Sequence, residues 1–224
     1  MKKALLVLLA AVAISIIAGC AGGSSQSSTQ APQVISTNPN DWSFQYSTGM
    51  PANPSPSTSG LWEIALPVPT NSLNYVTTPF GGVPAQSMSM TFEVVAPNGA
   101  VYGITDPNSQ LPPTVHMYMQ RCGDNLSGQG AYAAYRWWAK NGYAFGSNDN
   151  TTITLTAPLT VDNWTNVGTG DAPTAANFQA ALNNLCDIGM TFGGSGEGWG
   201  HGMNATPPTG DPPVKFVLKS ISLI

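Results

Sequence analysis

The chain predicts an all-β fold, an antiparallel β-sandwich with one short α-helix in its C-terminal third, and three observations carry that expectation. The 24 Gly and 19 Pro of its 224 residues punctuate runs rich in Thr, Val, Ile and aromatics, while helix formers such as Glu and Lys are scarce. About nine short alternating or apolar runs recur between turn residues from Asp41 onward. Strand-like runs follow one another directly, without the regular alternation with helices that a parallel sheet needs.

The first element is an address. Met1-Lys2-Lys3 precedes the apolar run Ala4 to Ile17, the layout of an export signal. The run is shorter than the roughly 20 apolar residues of a membrane-spanning helix and ends in small residues. Ile17-Ala18-Gly19-Cys20 resembles the lipobox of bacterial lipoproteins. That resemblance implies cleavage before Cys20, diacylglycerol on its thiol and acylation of the new amine. Two or three acyl chains, at about 0.8 kcal/mol per buried methylene, hold a bilayer stably where a single chain lets go. Residue 21 is Ala, not the aspartate that retains the enterobacterial lipoproteins it resembles at the inner membrane. The resemblance thus implies a cell-envelope location, at the outer membrane or cell surface, with the lipid bilayer as a partner.

Residues 1–19 therefore form a signal peptide, residues 20–40 the lipidated cysteine with its tether, and residues 41–224 the folded domain. The tract Ala21-Gly22-Gly23-Ser24-Ser25-Gln26-Ser27-Ser28-Thr29-Gln30 has too little apolar surface to offset its ordering entropy. As a coil of about 20 residues it spans on the order of 25 Å.

Within the domain, strands are expected at Trp42 to Tyr46, Leu61 to Leu66, Leu73 to Thr77, Met88 to Val95, Val115 to Gln120, Ala131 to Ala139, Thr151 to Leu155, Ile188 to Phe192 and Val214 to Leu223. Asn98-Gly99 and Asn141-Gly142 are turn pairs that tolerate positive φ, and the second is a hairpin signal between Ala131 to Lys140 and Tyr143-Ala144-Phe145. The last strand is apolar on both parities in places, which suits a central position. The helix follows Asp171 or Ala172, with Pro173 in its first turn and Phe178, Leu182 and Leu185 at helical spacing. Val161-Asp162-Asn163-Trp164 is a second short helical turn. After the anchor cysteine, Cys122 and Cys186 are an even pair in an exported protein: a disulfide follows from that count, and two buried thiols are the alternative.

The order Ile153 to Leu159, Asp162-Asn163-Trp164-Thr165, Phe178 to Leu182, Ile188 to Gly194 and a terminal strand resembles the closing half of galactose-binding-like jelly rolls. Many carbohydrate-binding modules share that fold. The resemblance implies a jelly-roll sandwich and, for function, polysaccharide binding. It covers roughly the last 75 residues well, and its matching positions are mainly core and turn residues. The sequence departs from it in having no assignable calcium-site motif.

Charge excludes one large class of partner. Only 7 Lys+Arg stand against 11 Asp+Glu, and Lys2 and Lys3 fall in the signal, so no basic stripe is available for nucleic acid. Two segments are candidates for a ligand. The glycine-rich stretch Gly193 to Gly202 presents Glu197, Trp199 and His201 on alternate positions. Trp199 would stack on a sugar ring while Glu197 and His201 exchange hydrogen bonds; alternatively Trp199 folds onto the core and the glycines permit tight turns. Strand alternation puts Arg136 and Trp138 on one face and Tyr135 and Trp137 on the other, so one face offers an indole beside a guanidinium, a surface for carbohydrate or a protein partner; alternatively the cation packs on the ring for structural reasons alone.

No catalytic residue is assigned. Glycoside cleavage needs two carboxylates about 5 to 9 Å apart. Of the glutamates Glu63, Glu93 and Glu197, the first two lie in expected strands, where they either point to a common concave face or are solvent-face or edge charges, and neither belongs to a recognisable glycosidase motif. His116 is expected as a packed or exposed strand residue, and no Gly-x-Ser-x-Gly elbow occurs. No metal ligand set or other cofactor is assigned. Gly146-Ser147-Asn148-Asp149-Asn150 supplies one carboxylate among amides, as a calcium loop or an ordinary turn would. The function these residues imply is extracytoplasmic polysaccharide binding. The alternatives are a carbohydrate-active enzyme on the same scaffold and an adhesive lipoprotein that binds protein. The sequence leaves the oligomeric state open.

Overall fold

A computed structural model of the chain describes residues 33–57, 61–82, 86–167, 173–195 and 199–224. The signal, Cys20, the tract to residue 32, Asp171, Ala172 and Glu197 lie outside the described residues. The strands are β1 (Gln33–Val34), β2 (Ser43–Gln45), β3 (Ser55–Pro56), β4 (Trp62–Ala65), β5 (Tyr75–Pro79), β6 (Ser87–Val95) and β7 (Val101–Ile104). They continue with β8 (Gln110–Arg121), β9 (Arg136–Ala144), β10 (Thr152–Pro158), β11 (Trp164–Asn166), then helix α1 (Ala175–Leu182), β12 (Leu185–Ser195), β13 (Met203–Thr206) and β14 (Lys215–Leu223). All the pairings are antiparallel, and the fold is a jelly-roll-like β-sandwich. Among the described residues no helix is long and apolar enough to cross a membrane.

The first sheet runs β10-β6-β14-β4-β3, with β1 added beside the far end of β14, and the second runs β11-β9-β8-β12-β5-β2. A small β13-β7 pair stands apart. Period-2 alternation fixes the inner faces. In β6, Met88, Met90, Phe92 and Val94 are wholly buried while Ser87, Ser89, Thr91 and Glu93 point outward. Across from them Val115, Met117 and Met119 of β8 and Met190 and Phe192 of β12 close the core.

The two-sided apolar pattern of the last strand has a local cause. β14 is central, as expected, but its pairing with β6 shifts between Leu218 and Ser220. The extra residue flips the parity, so Phe216 and Leu218 point inward before it and Ile221 and Leu223 after it.

The structure corrects four of the expected elements. The folded part begins before residue 41: Val34 pairs with Ser222, Ile35 N–H donates to Ile221 O at 3.1 Å, and Ile35 is buried. Ala131 does not open a strand, because Gly130–Ala134 is a 3-10 turn and β9 starts at Arg136. Asn141-Gly142 is not a hairpin turn but lies inside β9, and its glycine answers a steric demand from His116 described below. Asn98-Gly99, by contrast, is a turn with Gly99 at φ +84. The short 3-10 helix Val161–Asn163 falls where a helical turn was expected.

Helix α1 starts later than expected. Thr174 is its N-cap, its hydroxyl accepting from Asn177 N–H at 3.2 Å, so Pro173 precedes the helix rather than opening it. Phe178, Ala181 and Leu182 face the core, where Phe178 meets Trp137 edge to face at 4.9 Å. Cys122 and Cys186 form a disulfide, with Cα atoms 4.8 Å apart, that ties the end of β8 to the start of β12.

Candidate ligand-binding face

The second sheet is buried on both faces at its centre. All residues of β8 from Pro113 to Gln120 are buried, which requires a cover on the side facing away from the sandwich core. The register supplies it. Trp138, Tyr118, Gly189 and Thr77 form one row across β9, β8, β12 and β5; His116, Thr191, Tyr75 and Gln45 form the next across β8, β12, β5 and β2.

These rows produce a stripe of rings. Trp138 and Tyr118 have centroids 5.6 Å apart, Tyr118 and Tyr75 meet edge to face at 5.2 Å, and Tyr75 and Tyr46 do so at 5.8 Å. Tyr118 and Tyr75 belong to strands separated by β12, so their rings meet over β12 where its outward residue is Gly189. A Cβ there would sit 2.1 Å from Val76 O, so only glycine fits this crossing.

His116 carries the next layer. It is 3% exposed, and its ring nitrogens lie 2.8 Å from Ala139 O and 3.1 Å from Thr114 Oγ1. Nδ1–H donates to the carbonyl and Nε2 accepts from the hydroxyl, which describes a neutral imidazole. Burial holds its pKa down to about 4, with the Ala139 carbonyl opposing that shift. The ring lies over Gly142, where a Cβ would come within 2.4 Å of it. Between the Tyr118–Trp138 and His116–Gly142 pairs β9 carries three residues against one on β8, and this irregularity brings glycine under the ring.

Trp199 stacks on the outer side of this framework, 4.4 Å from the His116 ring centroid at 23°. It is partly exposed and packs on the Tyr75, Tyr118 and Trp138 cluster. Its loop is held by Asn74 Nδ2, which donates to Gly200 O at 3.2 Å, and by Gly200 at φ +88, where a Cβ would fall 2.9 Å from the Tyr75 hydroxyl. Tyr46, at the other end of the stripe, is 56% exposed in the left-handed region at φ 56. For a bulky residue that conformation costs on the order of 1 to 3 kcal/mol, and such outliers concentrate at ligand sites. Trp199 and Tyr46 are thus the solvent-facing rings of the stripe.

Polar groups border one side. Asp124 Oδ2 lies 3.1 Å from Arg136 Nε and accepts from Gln120 Nε2 at 3.1 Å, while Tyr118 O–H donates to Gln120 Oε1 at 3.1 Å. Arg136 Nη2 also donates to Leu126 O at 3.0 Å. Asp187 points the same way from β12 as Gly189 and Thr191, and burial pushes its carboxyl pKa up. Trp138 Nε1 and Thr191 Oγ1, both shielded, have no hydrogen-bond partner among the described residues.

Of the residues the sequence singled out, Arg136, Trp138 and Trp199 come together here. Trp138 is 6% exposed and acts from beneath. His201 is exposed and turns aside, its Nδ1 2.7 Å from Asp106 Oδ2, and with His201 beside it and the Asn108 backbone N–H foremost, the Asp106 carboxyl is held below its usual range. Glu197 lies outside the described residues. Sequence reasoning missed Tyr46, Tyr75, Tyr118 and His116 as members of one face. Their spacing in the chain carries no signal, because sheet register alone unites them.

The remaining acids have other employment. Glu63 and Glu93 flank Val217 on the outer face of the first sheet, paired with Lys215 at 2.6 Å and Lys219 at 2.8 Å. The carboxylate of Asp149 accepts from Tyr143 O–H at 2.6 Å, from Tyr102 O–H and from Gly146 N–H at 3.1 Å, closing its loop as a turn. Among the described residues no group of three or more His, Cys, Asp or Glu could hold a metal ion.

No protein-family model matches the chain, and no curated protein matches it. Among solved structures it is similar to a xylan-binding module CBM15, with a TM-score of 0.42, 12% identity, and coverage of 85% of this chain and 94% of that one.

Proposed function

We propose that the protein is a lipid-anchored extracytoplasmic binding protein whose sandwich takes polysaccharide on the outer face of the second sheet. The observation that carries the reading is the pair of solvent-facing rings. Trp199 lies flat on a buried, neutral His116, and Tyr46 is held exposed in a left-handed backbone beside Tyr75. Rings fixed from below in this way offer flat apolar platforms to the C–H faces of sugars, at little cost in side-chain entropy on binding. Asp187 and Arg136 border the platforms and suit sugar hydroxyls, because hydrogen bonds with one charged member are the stronger kind. A few polar groups among aromatics is the usual make-up of a small-ligand site.

A carbohydrate-active enzyme would need its carboxylates at the bound sugar. Glu63 and Glu93 are on the opposite sheet and each is neutralised by a lysine. At the face, Asp124 is buried against Arg136, which leaves Asp187 without the second carboxylate that cleavage needs among the described residues, so binding without cleavage is the better-supported reading. A glycan array probed with the full-length protein, run beside a turnover assay on labelled polysaccharides, tests it. Retention of polysaccharide without product is expected; product release would establish the enzyme instead, and retention of no glycan would return the face to a protein partner. The anchor is tested separately. Cys20→Ser should leave the precursor uncleaved and free of labelled acyl chains, since only the thiol forms the thioether; continued labelling would overturn the lipobox reading.

A further inference from the structure

Among the described residues the cations of the domain are matched, with one exception. Arg136 pairs with Asp124, Lys215 with Glu63 and Lys219 with Glu93, and Lys140 Nζ donates to Asp162 O at 2.9 Å. Among the described residues Arg121 has no carboxylate within ion-pair reach, and its Nε is shielded from solvent without an acceptor among them. A guanidinium beside a cleft with no carboxylate of its own points to a counter-charge supplied from outside the chain.

The surroundings of Arg121 form a built recess. It is the last residue of β8, next to the bridged Cys122, and its backbone N–H donates to Tyr135 O at 2.7 Å. Its guanidinium carbon lies 4.5 Å over the Tyr135 ring, which fixes the plane of the fork. The cleft in front has a volume of about 220 Å³ and is bordered by Gly130, Ala131, Ala134, Tyr135 and Asn177. Small side chains keep it open, and at Gly130 an added Cβ would meet nothing within 4 Å. Tyr132, partly exposed, sets its ring 5.0 Å from that of Tyr135.

We infer that the Arg121 cleft is a second ligand site, for the carboxylate of a sugar acid. A carboxylate matches the planar guanidinium with two hydrogen bonds through its two Nη groups, Nε being shielded, and supplies the missing counter-charge. The cleft is larger than a carboxylate alone requires, holding about seven times the roughly 30 Å³ share of one water in the liquid. The excess suits the ring that bears the acid, with Tyr135 beside it. The assignment rests on the saccharide reading for the nature of that ring. It adds that the polysaccharide carries uronate units.

Amide chemical shifts of the full-length protein, titrated with sodium glucuronate, glucose and sodium acetate, test the site. Glucuronate should move the amides of Arg121, Gly130, Ala131 and Tyr135. Arg121→Gln should weaken that binding at least tenfold, and Arg121→Lys, which keeps the charge but not the fork, should fall between the two. Melting temperatures of both variants report whether they fold, and the lysine variant retains the buried stem. Unmoved amides in the parent, or equal binding in parent and variants, would overturn the site. Acetate binding as tightly as glucuronate would overturn its sugar part, and glucose doing so would overturn its charge part. Binding of a neutral oligosaccharide that depends on Trp199 should be unchanged in Arg121→Gln, so failure at either site leaves the other standing.

Discussion

His116 shows at the scale of one residue how burial becomes a measurable pH dependence. Its folded pKa, about 4, lies below the ordinary 6.5 because the charged ring would lose its hydration. The unfolded chain therefore takes up a proton that the folded one refuses. Stability from this residue is complete above about pH 6.5, falls as the pH drops toward 4 and is flat below. A shift of this size corresponds to about 3 kcal/mol. Asp187, with its pKa raised, acts in the opposite sense, so the informative quantity is the difference between the parent and His116→Gln. Urea denaturation at pH 7 and pH 4 should give a steeper acid loss in the parent; equal slopes would show that His116 is accessible in the folded state. The same residue explains Gly142. Asn-Gly is a strong hairpin signal in sequence, but here the glycine is needed because an imidazole on the neighbouring strand occupies the space of a Cβ.

At the scale of elements, alternation was legible and irregularity was not. β6 follows its period without a break, and it falls where the sequence placed it, beginning one residue earlier. The β14 shift at Leu218 to Ser220 was visible only as apolar residues on both parities, which a buried strand also gives. The short strands β1, β3, β7, β11 and β13 have two to four residues each and were missed, since that length cannot establish a period. The disulfide joins β8 to β12, the two central strands of the second sheet, across a separation of 64 residues. In the chain-entropy model a loop of that size stabilises by about 4 kcal/mol. Cys122→Ser with Cys186→Ser should lower the melting temperature by on the order of 10 °C for a domain of this size. An unchanged melting curve would mean that the ends of β8 and β12 are held by the sheet alone.

For the whole molecule, the all-β class and the antiparallel sandwich were legible because composition and alternation act along the chain, whereas the jelly roll was implied by the resemblance of the closing segments. The ligand face was legible only in part. Arg136, Trp138 and Trp199 stood out as residue types, whereas Tyr46, Tyr75 and Tyr118 reach them through the strand order β9-β8-β12-β5-β2. Non-local pairing of that kind leaves no local trace. The same topology divides the molecule's surfaces by chemistry. The outer face of the first sheet carries Ser, Thr and paired charges, with Ser89 beside Thr156 and Thr91 beside Thr154, while the outer face of the second carries the rings. Tyr46→Ala should therefore weaken glycan binding with little effect on stability, because the side chain is largely exposed and its left-handed backbone is strained in the parent. Calorimetric titration beside a thermal melt checks both halves of that expectation.

Trp199→Ala decides the central claim, that the ring-bearing face of the second sheet is the polysaccharide site. A polysaccharide retained on the glycan array is titrated calorimetrically into the parent and the variant, and both are melted. The account predicts a loss of on the order of 1 to 3 kcal/mol in binding, the scale of aromatic stacking on planar bases taken by analogy, with the domain still folded. Unchanged affinity, or a stability loss of the 3 to 5 kcal/mol typical of truncating a core tryptophan, would contradict it and make Trp199 a cover for His116 alone.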